Sequence, residues 1–236
     1  MIARSARMTK TNTTGANMPH DFAVAVFDRL NERVAAMPGR PGPAWSQFAA
    51  AWNAVGYRFL AAARADARFV GAYRRNDRLR QELDLFAFVS TACSAVECMA
   101  YAVHAVGAML APYDFPIGTE LERRGVNLST TARRLEFRYP VDPLAALFVR
   151  ICEDRQWREL VDWRDIEIHR GTPGRLIHLS AGGPAPPPDM WQIGAHRGTD
   201  VPVGPDLTHA KRKWLARTID EMLVELDAFL TRRAVQ

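Results

Sequence analysis

Apolar side chains recur along this chain at intervals of three and four residues, and short clusters of Pro, Gly and charged residues interrupt them. That spacing predicts helices joined by breaks. Asp21–Met37 reads as a first amphipathic helix, stopped by the Pro38-Gly39-Arg40-Pro41-Gly42-Pro43 stretch. From Ala44, the stripe Trp45, Phe48, Trp52, Val55, Phe59 predicts a second helix to about Tyr73. Arg74, Arg75, Asn76 and Asp77 form a polar joint, and a long apolar helix follows over Leu83–Leu110, ending before Pro112.

Residues 112–140 have no clean period. Pro112, Pro116, Gly118, Gly125 and Pro140 leave at most a short basic helix around Thr130–Arg138. Asp142–Pro143 is a suitable helix start, because Pro fits the first turn. Leu144, Leu147, Phe148, Ile151, Leu160 and Val161 then supply the apolar side of one helix that should stop at Gly171–Pro173. Arg175–Ser180 and Trp191–Gly194 are short alternating pieces around a Gly/Pro-rich run, a small hairpin or an ordered loop. A last amphipathic helix covers about Leu207–Arg232. The expected fold is all-α: an up-and-down bundle of four to five long helices with a small hairpin before the last one. Residues 1–19 are expected as a flexible arm and residues 20–236 as one helical-bundle domain.

Composition narrows this reading without naming a function. The chain has 236 residues, 48% hydrophobic and 24% charged, which excludes wholesale disorder and suits one domain or a tight pair. The net charge of +5 permits an anionic partner. Nearly all the positive charge is Arg, with Lys only at positions 10, 211 and 213, so in an Ala-rich chain Arg abundance reflects composition before it reflects phosphate binding. Cys93, Cys98 and Cys152 are an odd set with no Cys-x-x-Cys pair. A disulfide framework or zinc site is not expected, and a reducing cytoplasm fits best.

The first nineteen residues lack the apolar region of a secretory signal. Phe86–Leu110, in which Glu97 is the only charged residue, is long enough to span a bilayer. It is Ala-rich and carries Ser90, Thr91, Ser94, Glu97 and His104, and an acid at mid-membrane costs roughly 2.5–3.5 kcal/mol. A buried central helix is therefore the favoured reading, and no membrane is expected as a partner.

No Walker loop, dinucleotide fingerprint, Gly-x-Ser-x-Gly or His-Glu-x-x-His is present, which argues against the corresponding NTPase, oxidoreductase, esterase and zinc-protease classes. The segment that carries chemistry is Val161–Gly171, which contains Arg164-x4-His169 with Asp165 directly after the arginine. A guanidinium offers fork-shaped donors and permanent charge to phosphate oxygens, and an imidazole transfers protons near neutral pH. Positions five apart on an ideal helix point about 140° away from each other. The two groups converge only if the helix end loosens near Gly171, or if one cleft receives groups from two helices, as a two-fold dimer allows. Asp165 lies four residues before His169, within reach of the ring.

Arg164, Asp165 and His169 together resemble the motif of the HEPN superfamily: an Arg, a polar residue, a few further residues, then His near a helix end. Arg170 after the histidine is also commonplace there and is a candidate RNA contact. The resemblance implies a helical bundle that often dimerises through the motif helices, and metal-independent endoribonuclease activity with no cofactor. In that scheme Arg164 holds the phosphate, His169 moves protons, Asp165 orients His169, and Glu97 supports the site from a preceding helix. The implied partners are RNA, a second copy of the chain and, in toxin or defence systems, an antitoxin protein. Gly171 stands where some members carry a Tyr, so tyrosine modification gains no support.

Plainer readings stand beside these. Arg164 can simply pair with a neighbouring carboxylate, and a cationic His169 is favoured at a helix C-terminus by about 0.3–1 kcal/mol. Glu97 can orient the bundle through an ion pair. Glu97 and His104 share a face of their helix, but no Glu-x-x-His repeat accompanies them, so a di-metal bundle is disfavoured. His178, His196 and His209 fall in loop-like regions, and Trp45, Phe48 and Trp52 read as core. Arg123, Arg124, Arg133, Arg134 and Arg138 make the middle segment basic, either as a solvated face or as a track for an RNA backbone in which Arg133 and Arg134 take part. A non-catalytic nucleotide-binding or protein-interaction module, and a purely structural dimer, are the alternatives to the ribonuclease.

Overall fold

A computed structural model describes residues 18–37, 42–169, 174–177, 189–192 and 201–234, without the side chains of residues 167–169, Trp191, Gln192 and Val201. Met18 and Pro19 therefore belong to the described fold, with Met18 packed on the core; the rest of the expected N-terminal arm lies outside the described residues. Among the described residues the chain is all-α, a helical bundle with one small sheet. Its helices are α1 (Val24–Ala35), α2 (Pro43–Arg74), α3 (Arg78–Leu110), α4 (Glu120–Arg124), α5 (Leu128–Arg138), α6 (Pro143–Glu153), α7 (Arg155–His169) and α8 (Pro205–Ala234).

The α2–α3 hairpin is the spine, and the pairing of these two helices is the most extensive among the described residues. The polar joint expected at residues 74–77 turns the chain. Asn76 takes a left-handed conformation (φ 54°), Asp77 N–H reaches back to Ala72 C=O at 3.0 Å, and Asn76 N–H to Tyr73 C=O at 3.0 Å. Gly or Asn best tolerates that conformation at a helix end. Asp77 Oδ1 then accepts from Arg80 N–H at 3.1 Å, so one four-residue joint ends α2 and starts α3. Asp84, buried on α3, holds Arg68 of α2 at 2.7 Å and locks the hairpin partway along.

α3 has the length and mean hydropathy of a membrane span, and 56% of its most apolar window is buried inside the fold. Its apolar residues, from Leu85 through Val89, Val96 and Met99 to Val106, are covered by α2, α5, α7 and α8. Phe48 and Trp52 of the expected stripe are fully buried, and Trp45 packs against them from the rim. Phe27 of α1 stacks on Trp52 with ring centroids 4.3 Å apart.

Residues 142–170, expected as one helix, are divided. α6 ends at Glu153, Asp154 adopts an extended conformation (φ −62°, ψ 128°), and α7 starts at Arg155. The cause is a side chain: Asp154 Oδ1 accepts Gln156 N–H at 2.7 Å as the cap of a new helix, while Oδ2 accepts from Trp214 Nε1 of α8 at 3.0 Å. A short acidic side chain competes with helix continuation when it satisfies first-turn donors itself. The irregular middle segment holds two helices, α4 and α5, where one was expected. Thr119 and Glu122 start α4 as a reciprocal capping box, and Asn127 caps α5.

The two pieces expected as a hairpin or loop supply β1 (Gly174–Leu176) and β2 (Met190–Gln192), and an unexpected third strand, β3 (Val201–Pro202), completes an antiparallel sheet in the order β1-β2-β3. Arg175 pairs with Trp191 across the first ladder, and Met190 with Pro202 across the second. Arg175 also fixes the sheet to the bundle, because its largely buried guanidinium meets Asp189 at 2.8 Å and Glu82 of α3 at 3.2 Å.

Candidate functional site

α7 is held from two sides, and that fixes where Arg164 projects. Trp157, Leu160, Trp163 and Ile166 are buried, and α7 packs on α3 and α6. Against α8, the buried Lys211 ammonium binds the Glu159 carboxylate, lies 3.4 Å from Gln156 C=O and sits 5.1 Å from the Trp163 ring centre. Burial draws the Lys211 pKa down, and the Glu159 carboxylate opposes that shift. Contacts at positions 156, 159 and 163 leave α7 little freedom to slide or rotate.

Arg164 stands at the edge of this packing, with its side chain 30% exposed. Its Nε and Nη2 both donate to Asp165 Oδ1, at 3.1 and 2.9 Å. Partial burial works against the charge, but the Asp165 hydrogen bonds and the nearby Cys93 and Glu97 raise the guanidinium pKa above its ordinary value. Arg164 is thus a fixed, permanent cation.

Glu97, from the middle of α3, faces the same region. Its Oε2 accepts the Leu128 N–H, the first of α5, at 2.7 Å. Burial raises the Glu97 pKa, with the Leu128 hydrogen bond and the Arg164 charge pulling the other way. Cys152 of α6 senses Glu97: burial first, then the Glu97 and Glu153 charges, push its thiol up to about 11. α3, α5, α6 and α7 therefore meet around the Glu97 carboxyl group, with the Arg164–Asp165 pair and the protonated Cys152 thiol beside it. The arrangement sets a guanidinium, two of whose donors are held by Asp165, beside a carboxyl group whose pKa burial raises.

Of the residues expected at the site, the fold brings Arg164, Asp165 and Glu97 together. Asp165, expected to orient His169, has Arg164 as its described partner. The helix end does not loosen before the histidine: α7 remains helical through His169, so positions 164 and 169 lie about 140° apart around its axis. The side chain of His169, and all of Arg170, lie outside the described residues. Arg133 and Arg134 are on α5, the helix whose first N–H binds Glu97. Arg133 is exposed, and Arg134 is half-buried near His104.

Cys152 and the Leu128 N–H belong to the site and were not singled out from sequence. The Leu128 contact spans 31 residues, and an amide donor leaves no trace in residue type. The one available signal was Glu97 itself, a lone acid in an apolar helix that needs a partner when buried. Glu97 and His104 turn to different partners, because His104 Nε2 meets Pro116 C=O at 3.2 Å. Among the described residues no three His, Cys, Asp or Glu side chains converge as a metal ion would require. Family models, curated proteins and solved structures give no match to the chain, so the functional reading rests on the residues themselves.

Proposed function

We propose that this chain is a metal-independent endoribonuclease of HEPN type. In this reading α2, α3, α7 and α8, with α6, are the four to five members of its up-and-down bundle. The observation that carries the proposal is the Arg164 guanidinium, fixed by Asp165 beside the Glu97 carboxylate at the surface of α7.

Arg164 binds the scissile phosphate and stabilises its developing negative charge. His169 takes the proton as the ribose 2′-oxygen attacks phosphorus. The bond from phosphorus to the 5′-oxygen breaks, that oxygen takes the proton back from the His169 imidazolium, and the products carry a 2′,3′-cyclic phosphate and a 5′-hydroxyl. Glu97 is a positioning residue that acts on Arg164 through its charge. Because one straight helix separates positions 164 and 169 by about 140°, the working cleft forms between two copies of α7 in a symmetric dimer. A toxin or defence role in the cytoplasm, opposed by an antitoxin protein, is part of the same proposal.

The test is incubation of RNA with the purified chain in EDTA. Wild type is expected to leave cyclic-phosphate ends, and Arg164→Ala and His169→Ala to lose about 100-fold or more of the rate. Undiminished cleavage by both variants removes the mechanism. One observation favours a second reading: Asp165 already engages two donors of Arg164, as it would in a non-catalytic dimeric module that binds nucleotides or protein. Ligand binding without turnover, measured by calorimetry, selects that alternative.

A further inference from the structure

Two aromatic rings stand in solvent near the far end of α5. Tyr113, in the loop after α3, is 97% exposed, and Phe137, in the last turn of α5, is 74% exposed. The residues beside them in sequence are joined: Arg138 Nε meets Asp114 Oδ2 at 2.9 Å. One ion pair therefore pins the Tyr113 loop to the end of α5 and places the two exposed residues in one neighbourhood of the surface. An uncovered ring forgoes a large apolar burial, and two in one neighbourhood mark a contact surface.

The charge around the rings indicates the occupant. Arg133, one turn before Phe137, is exposed, and its described polar contact is Thr130 Oγ1 at 3.5 Å. Neither Arg133 nor Arg134 has a carboxylate within ion-pair distance among the described residues. Glu136 is the exposed acid on this helix, and with Arg138 paired to Asp114, Arg133 and Arg134 outnumber it two to one. α5 runs from Leu128, whose N–H binds Glu97, to Arg138, about 15 Å along its axis. A strand bound along α5 thus has the Arg164 region at one end and the two rings at the other.

We propose that α5 and the Tyr113 loop form a platform for single-stranded RNA. Tyr113 and Phe137 stack on unpaired bases, and Arg133 and Arg134 take phosphates on the way to Arg164. Only unpaired bases present free faces to such rings, since a duplex keeps its bases stacked on one another. The choice of RNA rests on the function proposed above; the stacking surface rests on the exposed rings and unpaired cations.

The test is fluorescence anisotropy of the whole chain with a labelled random-sequence 2′-O-methyl RNA of about 12 nucleotides, within the 4–16 that single-strand platforms cover. That probe has no 2′-hydroxyl to attack, so binding is read apart from cleavage. Wild type is expected to bind the single strand more tightly than its duplex. The double variant Tyr113→Ala/Phe137→Ala should bind it at least about 10-fold more weakly with an unchanged melting temperature. Arg133→Gln should lower the slope of log affinity against log salt by about 0.7. Equal binding by wild type and the double variant overturns the platform, as does equal binding of duplex or no binding by wild type. Loss of self-association in the double variant, with RNA affinity unchanged, assigns the rings to a protein contact instead. Binding to this platform with no cleavage of unmodified RNA removes the ribonuclease and keeps the platform; cleavage with binding insensitive to the rings does the reverse.

Discussion

The Leu128 backbone N–H donates to Glu97 Oε2 at 2.7 Å and so joins the first turn of α5 to the middle of α3. The carboxylate sits where a helix presents unpaired donors, which favours its anion, yet burial outweighs that gain and keeps the Glu97 pKa raised. Because burial raises the Glu97 pKa, its ionised form makes folding less favourable than its neutral form does.

Glu97→Gln should consequently melt above wild type at pH 7.5, because its amide oxygen still accepts the Leu128 N–H without charge. The sign follows from linkage: between the unfolded and the raised folded pKa, the native state binds more protons, so ionised Glu97 lowers stability as pH rises. The difference between variant and wild type should shrink as pH falls into the carboxylate range. If Glu97 serves Arg164 in catalysis, the same variant loses cleavage rate while gaining stability. Thermal melts across pH, paired with a cleavage assay, check both.

His104 carries the opposite sign. It is buried on α3, edge-on to Phe115, and burial lowers its pKa below the ordinary imidazole value. The unfolded chain takes up a proton that the native state refuses, so stability should fall as pH drops below about 6.5. His104→Gln should show a smaller loss of melting temperature between pH 7.5 and 5.5 than wild type.

Gly107 permits the loop after α3 to close. A methyl group there would lie 2.5 Å from Cδ1 and 2.6 Å from Cγ of the buried Phe115 ring. Gly107→Ala should cost about 1–3 kcal/mol despite the better helix propensity of Ala. Denaturant titration measures it, and Gly107→Ala/Phe115→Leu should recover part of the loss.

Asp142 gathers three partners at the start of α6. Its carboxylate caps Leu144 N–H at 3.0 Å and binds Arg232 at 2.7 Å and Arg233 at 3.3 Å from the end of α8. Asp142→Ala should cost about 2–3 kcal/mol, of which about 1 is the lost cap. Asp142→Asn keeps the cap and should lose about half as much. Urea denaturation of the two variants separates cap from ion pairs.

Periodicity alone determined that this chain is helical, where α2, α3 and α8 run within a few residues at most ends, and that Phe48 and Trp52 are core. Those features depend on neighbours three and four residues away, which a sequence displays directly. The joint at residues 74–77 was legible for the same reason, because turn chemistry at Asn76 is local. The division of residues 142–170 was not. Asp154 resembles any helix-surface acid until Trp214, 60 residues later, takes one of its oxygens. The motif Arg164–His169 was visible as letters, but the Glu97 carboxylate facing Arg164, and the Leu128 N–H that holds it, exist only because α3, α5 and α7 pack together. Tertiary packing decided the site, since burial and charge at one point arise from residues distant along the chain, and no local pattern records which of them will meet.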